Sequence, residues 1–251
     1  AQQALDLDPT NVERQRSARI AVTDRCGILC KKGDYAEAER QIVALLPRLE
    51  AAAKSEPDNP SLQRDLAVGL SLRGAALFGL ERYDDAAKFF DASLTIREGL
   101  AIAVTDLTEI GQLLLTSEYA RGRFDLAAKV CERMIAATDR LTKLAGASPG
   151  LATYRQTQVE LKDAYSLLPG IVAEPATLDA QPPGMRVHLA GLLALHQLRA
   201  GDPAAGFATL DKLIALAPVN ANVQLTAVFA HAIAARRAQT NAERDHHFEK
   251  A

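Results

Sequence analysis

Apolar residues recur at helical spacing along almost the whole chain, and polar residues fill the positions between them. Val12, Ile20, Val22, Cys26, Leu29 and Cys30 mark a first helix from about Val12 to Lys32. Ala38, Ile42, Leu45, Leu46 and Leu49 mark a second, running from Asp34 towards Lys54, with Pro47 expected to kink it because proline removes a backbone donor. Leu66, Leu70, Leu77 and Leu80 line a third with Gly74 at a close crossing, and Ala86, Phe89, Phe90, Leu94 and Ile96 line its partner. Ile110, Leu113, Leu114 and Tyr119 precede a further turn, and Ala127, Val130, Cys131, Met134 and Ile135 follow it. The pattern predicts antiparallel helical hairpins and an all-α fold.

The turns repeat as well. The phrase GDYAEAERQI at Gly33–Ile42 returns in altered form as ERYDDAAKFF at Glu81–Phe90, GRFDLAAKVC at Gly122–Cys131 and GDPAAGFATL at Gly201–Leu210. In each copy an aromatic residue or proline is followed three places on by a small residue: Tyr35 with Ala38, Tyr83 with Ala86, Phe124 with Ala127, Pro203 with Gly206. A small side chain at that point lets the two helices of a hairpin approach closely, so the chain reads as a repeat protein. Residues 1–145 form the hairpins with extended helices, 146–184 a degenerate repeat, and 185–251 a C-terminal hairpin and the helices after it. Proline and glycine at Pro169, Gly170, Pro175, Pro182, Pro183 and Gly184 predict an irregular segment over 169–184. Ala4–Asn11 reads as the end of a preceding helix stopped by Pro9, and another helix is expected from Asn241. A chain that opens inside a helix at Ala1 is expected to be a fragment or a processed product.

These residues resemble the tetratricopeptide repeat family. Gly201, Gly206, Leu210, Leu213 and Pro218 match its spacing, and Ala86, Phe90 and Ser93 match its chemistry. The resemblance covers most of the chain outside 145–184. The steps from Ala38 to Ala86 and from Ala86 to Ala127 exceed the family period of about 34 residues, so the first hairpins need longer helices, as in bacterial repeats attached to regulatory or effector domains. The resemblance implies a right-handed α-solenoid with a concave groove that takes a peptide or a partner's helix. The first helix of each hairpin would line that groove, which selects Thr23, Gly27, Lys31, Ser71, Ala75, Gln112, Thr116, His188, Gly191 and Arg199 as candidates. The set lacks the lysine and asparagine pairs with which some family members hold a terminal carboxylate.

Composition narrows the functional classes. With 251 residues, 48% of them hydrophobic, and a formal net charge of -2, the chain is ordered and exerts no global field on nucleic acid or an anionic membrane. The short basic stretch RQRSAR at Arg14–Arg19 has no interleaved aromatic residues and reads as a solvated helix face. No apolar run nears the roughly 20 residues needed for a membrane span. An odd set of three cysteines, Cys26, Cys30 and Cys131, points to a reducing, cytoplasmic setting. Cys26 and Cys30 share a helix face, which is either core packing or a metal or redox pair, and packing is the stronger reading because no histidine is near in sequence.

Catalytic patterns are thin. No phosphate loop, nucleophile elbow or metalloprotease helix is present. Adjacent His246 and His247 point about 100° apart on a helix and do not face one ion, while His196 and His231 lie on apolar helices as packed histidines. The expectation is a non-enzymatic protein-interaction scaffold, without cofactor or metal, binding a protein or peptide. The alternative is a regulatory or sensor part of a larger signalling protein or enzyme.

Overall fold

The computed structural model describes residues 12–100 and 104–237, and all regular structure among them is helical, with no strand. In chain order the α-helices are α1 (Val12–Lys31), α2 (Tyr35–Ser55), α3 (Pro60–Gly79), α4 (Tyr83–Gly99), α5 (Val104–Ala120), α6 (Phe124–Ala145), α7 (Pro149–Ala173), α8 (Pro183–Ala200), α9 (Pro203–Leu216) and α10 (Ala221–Arg237). A short 3-10 turn at Pro175–Ala180 precedes α8. The expected elements at 4–11 and beyond 241, together with His246 and His247, lie outside the described residues.

The chain divides into two compact units. One combines the described residues up to Arg121 with Val130–Arg155, and the other combines Gly122–Lys129 with the described residues from Gln156 onward.

In the first unit each helix from α1 to α5 packs on the next, and α1 also meets α3 while α3 meets α5. The core is the apolar pattern made physical. Ala18, Val22 and Cys26 of α1 bury against Ile42, Leu45, Leu46 and Leu49 of α2 and Leu70 of α3, with Phe89, Ala92 and Ile96 of α4 partly buried around them. Close approach between helices depends on absent side chains. At Gly74 of α3 a Cβ would stand 2.7 Å from the Phe90 ring of α4, and at Gly111 of α5 it would collide with the Met134 sulfur. Only a hydrogen at these points leaves room for the buried Phe90 ring and the buried Met134 side chain.

The repeated phrase becomes a repeated turn. Gly33 and Gly201 adopt positive φ, and the next residue's N–H returns to the carbonyl five places back: Asp34 to Leu29 at 2.9 Å, and Asp202 to Gln197 at 2.9 Å. Arg82 does the same to Leu77 at 2.9 Å, but there the left-handed position is held by Glu81, at φ 61. Glycine accepts that conformation without steric cost and glutamate does not, so the second hairpin carries local strain that the first lacks. Helix starts are capped where the chain breaks. Asn59 accepts from the N–H groups of Ser61 and Leu62 ahead of Pro60, and Asp202 accepts from Ala205 N–H ahead of Pro203.

In the second unit α8 packs on α9 and on α10, α9 packs on α10, and the 3-10 turn packs on α8. Leu168, Ile171, Leu178, Leu189, Leu193, Leu198, Leu210, Leu213 and Val223 are among its buried aliphatic residues. Gly206 lets α9 lie against α8, where a Cβ would meet Leu198 at 2.6 Å.

The proline-rich segment corrects an expectation. Residues 169–184 are largely helical: α7 runs through Pro169 and Gly170 to Ala173, and Pro175 and Pro183 sit at the first positions of the elements that follow. A first-position proline loses no intrahelical bond, because that N–H has no partner in any helix. Leu178 then buries and pins the turn. The helix α2 likewise runs without interruption through Pro47, which lies on its exposed side, as does Val43, whose carbonyl water can satisfy. Leu80, expected to face inward, is exposed at a helix end, and so is Leu216.

Candidate functional site

In the first unit the candidate surface lies on α1, α3 and α5, the first helices of the three hairpins. Here α3 is central. With α1, α2, α4 and α5 packed around it, none of its residues from Asp65 to Gly79 is fully exposed. This packing decides the fate of the candidate residues. Ser71 of α3 is buried and donates its hydroxyl to the Val68 carbonyl at 2.9 Å. Thr23 of α1, 7% exposed, donates to the Ile20 carbonyl at 2.7 Å. Both hydroxyls bond to their own helix, and the expectation that Thr23 and Ser71 are exposed is corrected: both are buried.

Lys31, in the last turn of α1, and Gln112, on α5, are exposed as expected. Thr116, one turn after Gln112, is half-buried and donates to the Gln112 carbonyl at 2.7 Å. Gly27 is half-buried opposite Leu72 of α3, and Ala75 is half-buried.

The stretch Arg14–Arg19, read from sequence as a solvated face, contributes more than that. Arg16 grips Asp65 of α3 through Nε to Oδ2 at 3.0 Å and Nη2 to Oδ1 at 3.5 Å. Arg19 is 8% exposed. Both face a neighbour because α3 lies across this side of α1, a relation set by residues some fifty positions apart and invisible to local pattern. On α3 the guanidinium of Arg73 stacks 4.2 Å above the Phe89 ring of α4, a cation–π contact. The two residues lie on different helices, so local sequence pattern gave no sign of it.

Further ion pairs tie one hairpin to the next. Arg82 reaches Glu39 at 3.2 Å, Arg121 reaches Asp84 at 2.6 Å, and Arg133 of α6 joins Glu98 at 3.0 Å and also pairs with Asp91 of α4. Each arginine belongs to the later hairpin and each carboxylate to the earlier one. Such partly solvated pairs add little stability singly but fix which helices lie together.

In the second unit His188 of α8 stands 3.5 Å from Glu160 of α7 through Nε2, and Gly191 is buried against Leu213. Arg199 is half-buried in the last turn of α8. The histidines His196 and His231 are packed, against Phe124 and Phe207 with ring centroids 5.3 Å and 5.0 Å apart. Burial, aided by the nearby charge of Arg199, holds the His196 imidazole below its ordinary pKa.

That shift has a sign for stability. A histidine depressed in the folded state takes up fewer protons than in the unfolded chain, so its contribution is intact above the ordinary value of about 6.5 and fades as pH falls through it. The melting temperature is therefore expected to drop more steeply in the wild type than in His196→Gln between about pH 7 and about pH 5. Parallel pH profiles for the two proteins would contradict this assignment.

The thiols of Cys26, Cys30 and Cys131 are free, with Cys26 and Cys131 buried. Burial, reinforced by Cys30, pushes the Cys26 thiol up to about 11, which suppresses the thiolate needed for metal binding or redox exchange. Cys26 is a core residue packed with Ala18 and Val22, and Cys30 is half-buried on the same helix. Among the described residues no group of three His, Cys, Asp or Glu side chains is placed to hold a metal ion, and no helix is long and apolar enough to cross a membrane. In comparisons with known proteins, no family model matches the chain and no curated sequence matches it.

Proposed function

We propose that this chain is a protein-interaction scaffold of the tetratricopeptide-repeat type, whose first helices present a preformed surface to a segment of a partner protein. The observation that carries this reading is the packing order of the first unit. Each helix rests on the next while α1 meets α3 and α3 meets α5, so the first helices of successive hairpins lie side by side. A row of helices held by a continuous apolar seam loses little backbone order when it binds, which leaves more of the contact energy as affinity. The repeated positive-φ turns at Gly33, Glu81, Gly122 and Gly201 support the same reading, since one device closes each hairpin.

The accessible part of the surface is narrower than the sequence implied. It rests on Lys31 and Gln112, with Thr116 beside the latter, rather than on Thr23 and Ser71. A surface of this kind suits a partner that brings a hydrogen-bonding, partly acidic face.

Changing Lys31 to Glu together with Gln112 to Ala is expected to weaken partner capture about tenfold without lowering the melting temperature. Capture would be measured with immobilised wild-type and variant proteins against extract of the native host, and quantified for each protein retained. Equal recovery of every protein by the two baits would remove this face from the function.

A further inference from the structure

Between α1 and α3 three charged side chains meet, and their charges do not balance. Arg16 and Arg19 come from α1, Asp65 from α3. Asp65 is committed to Arg16 through both carboxylate oxygens, at 3.0 Å and 3.5 Å. Arg19 is left over. It is more than nine-tenths buried, and its Nε is sealed from solvent without a hydrogen-bond partner.

This is a costly arrangement for a folded protein. A guanidinium whose Nε–H is taken out of water and given no acceptor forfeits part of its hydration, and the charge of Arg16 nearby adds repulsion. Burial holds Arg19 below the usual arginine range, opposed only in part by the attraction of Asp65. Thr23, one turn further along α1, donates its hydroxyl to the Ile20 carbonyl and does not serve as acceptor for the Arg19 Nε–H, which has no partner. Packing alone does not require a charge here, since a methionine would fill the seam as far as the arginine's Nε without desolvating a cation.

We propose that Arg19, supported by Arg16, is the receptor for a carboxylate that enters the seam between α1 and α3. The excess is one positive charge, which a carboxylate neutralises. A phosphate dianion would overshoot it and would need more donors than one guanidinium edge supplies. The planar fork of arginine matches a carboxylate in shape as well as charge. The source is either an acidic side chain of a bound protein segment or a small free carboxylate. The inference stands on the local geometry of Arg19 and holds independently of the scaffold reading.

The test is a titration of the whole chain with two probes at constant ionic strength: acetate exchanged against chloride, and a short glutamate-rich peptide against its all-glutamine counterpart. The readouts are the melting temperature and the 15N signal of the Arg19 Nε–H group. At least one carboxylate probe is expected to raise the melting temperature saturably and to move the Arg19 signal, with chloride and the glutamine peptide inert. Response to acetate assigns the site to small carboxylates, and response to the peptide alone assigns it to an acidic side chain. Arg19→Met is expected to fold at least as well as the wild type without ligand and to lose the response at least tenfold. Asp65→Asn, which frees Arg16, is expected to strengthen it. No saturable response to either probe, or an undiminished one in Arg19→Met, overturns the proposal. Should Arg19→Met fail to fold, the Arg19 signal in the wild-type protein still decides, because a carboxylate that leaves it unmoved is not bound there.

Discussion

Replacing Phe90 with alanine is expected to destabilise the first unit by about 3–5 kcal/mol, the range for removing a fully buried aromatic ring from a core. The ring is 0% exposed and lies over Gly74 of α3, so no solvent-facing atoms soften the loss. The cavity left behind cannot close easily, because α3 is held by neighbours on both sides. Denaturant unfolding followed by circular dichroism measures the change. A loss of less than about 1 kcal/mol would mean that this ring is not the keystone of the α3–α4 crossing.

The same contact offers a sharper check. Gly74→Leu alone is expected to cost about 1–3 kcal/mol or more by overpacking, since its first carbon already stands too close to the ring. In the double variant Gly74→Leu with Phe90→Ala, the added side chain occupies part of the vacated space. The two changes together are therefore expected to cost less than their sum, with a coupling of about 1 kcal/mol or more. Strict additivity would show that the two positions do not share a volume.

The second large effect lies in the other unit. Leu213→Ala is expected to cost about 2–5 kcal/mol there. Leu213 of α9 is 1% exposed and rests on Gly191 of α8, which also faces Thr226 of α10, so it sits where three helices converge. Its removal withdraws contacts from all three at once. Unfolding curves of the variant, read against those of Leu216→Ala at an exposed helix end, separate burial from helix propensity. Equal losses at the two positions would contradict the three-helix junction.

Much of this architecture was legible in the chain. Period-3.6 spacing located the helices from α1 to α6 and α8 to α9, and it identified Ile42, Leu45, Leu77, Ala86, Phe90 and Met134 as buried. Gly33 and Gly201 were readable as helix terminators because few other residues accept positive φ. Gly74 was readable as a crossing because an amphipathic face with a gap in it signals a neighbour. Proline was misread over 169–184, where residue counting predicted an irregular segment; three of those prolines lie at or just before the start of an element, and only Pro169 lies inside one, which continues past it.

The candidate surface was less legible, for a reason that Thr23 and Ser71 display. Both read as exposed from helical spacing, and both are buried, with their hydroxyls bonded to carbonyls of their own helices. The arginines show the converse. Arg16 and Arg19 carry the composition of a solvated face, yet one is clamped to Asp65 and the other is buried beside that clamp.

The residues in their order determined which segments are helices, where each one stops, and which stripe of each is apolar, because these follow from short-range spacing, backbone sterics and hydrogen bonding within a few turns. Tertiary structure alone decided which polar side chains stay in water. That choice depends on the helix that lands on them, and α3 reaches Arg16 and Arg19 only after some fifty intervening residues have folded back on themselves.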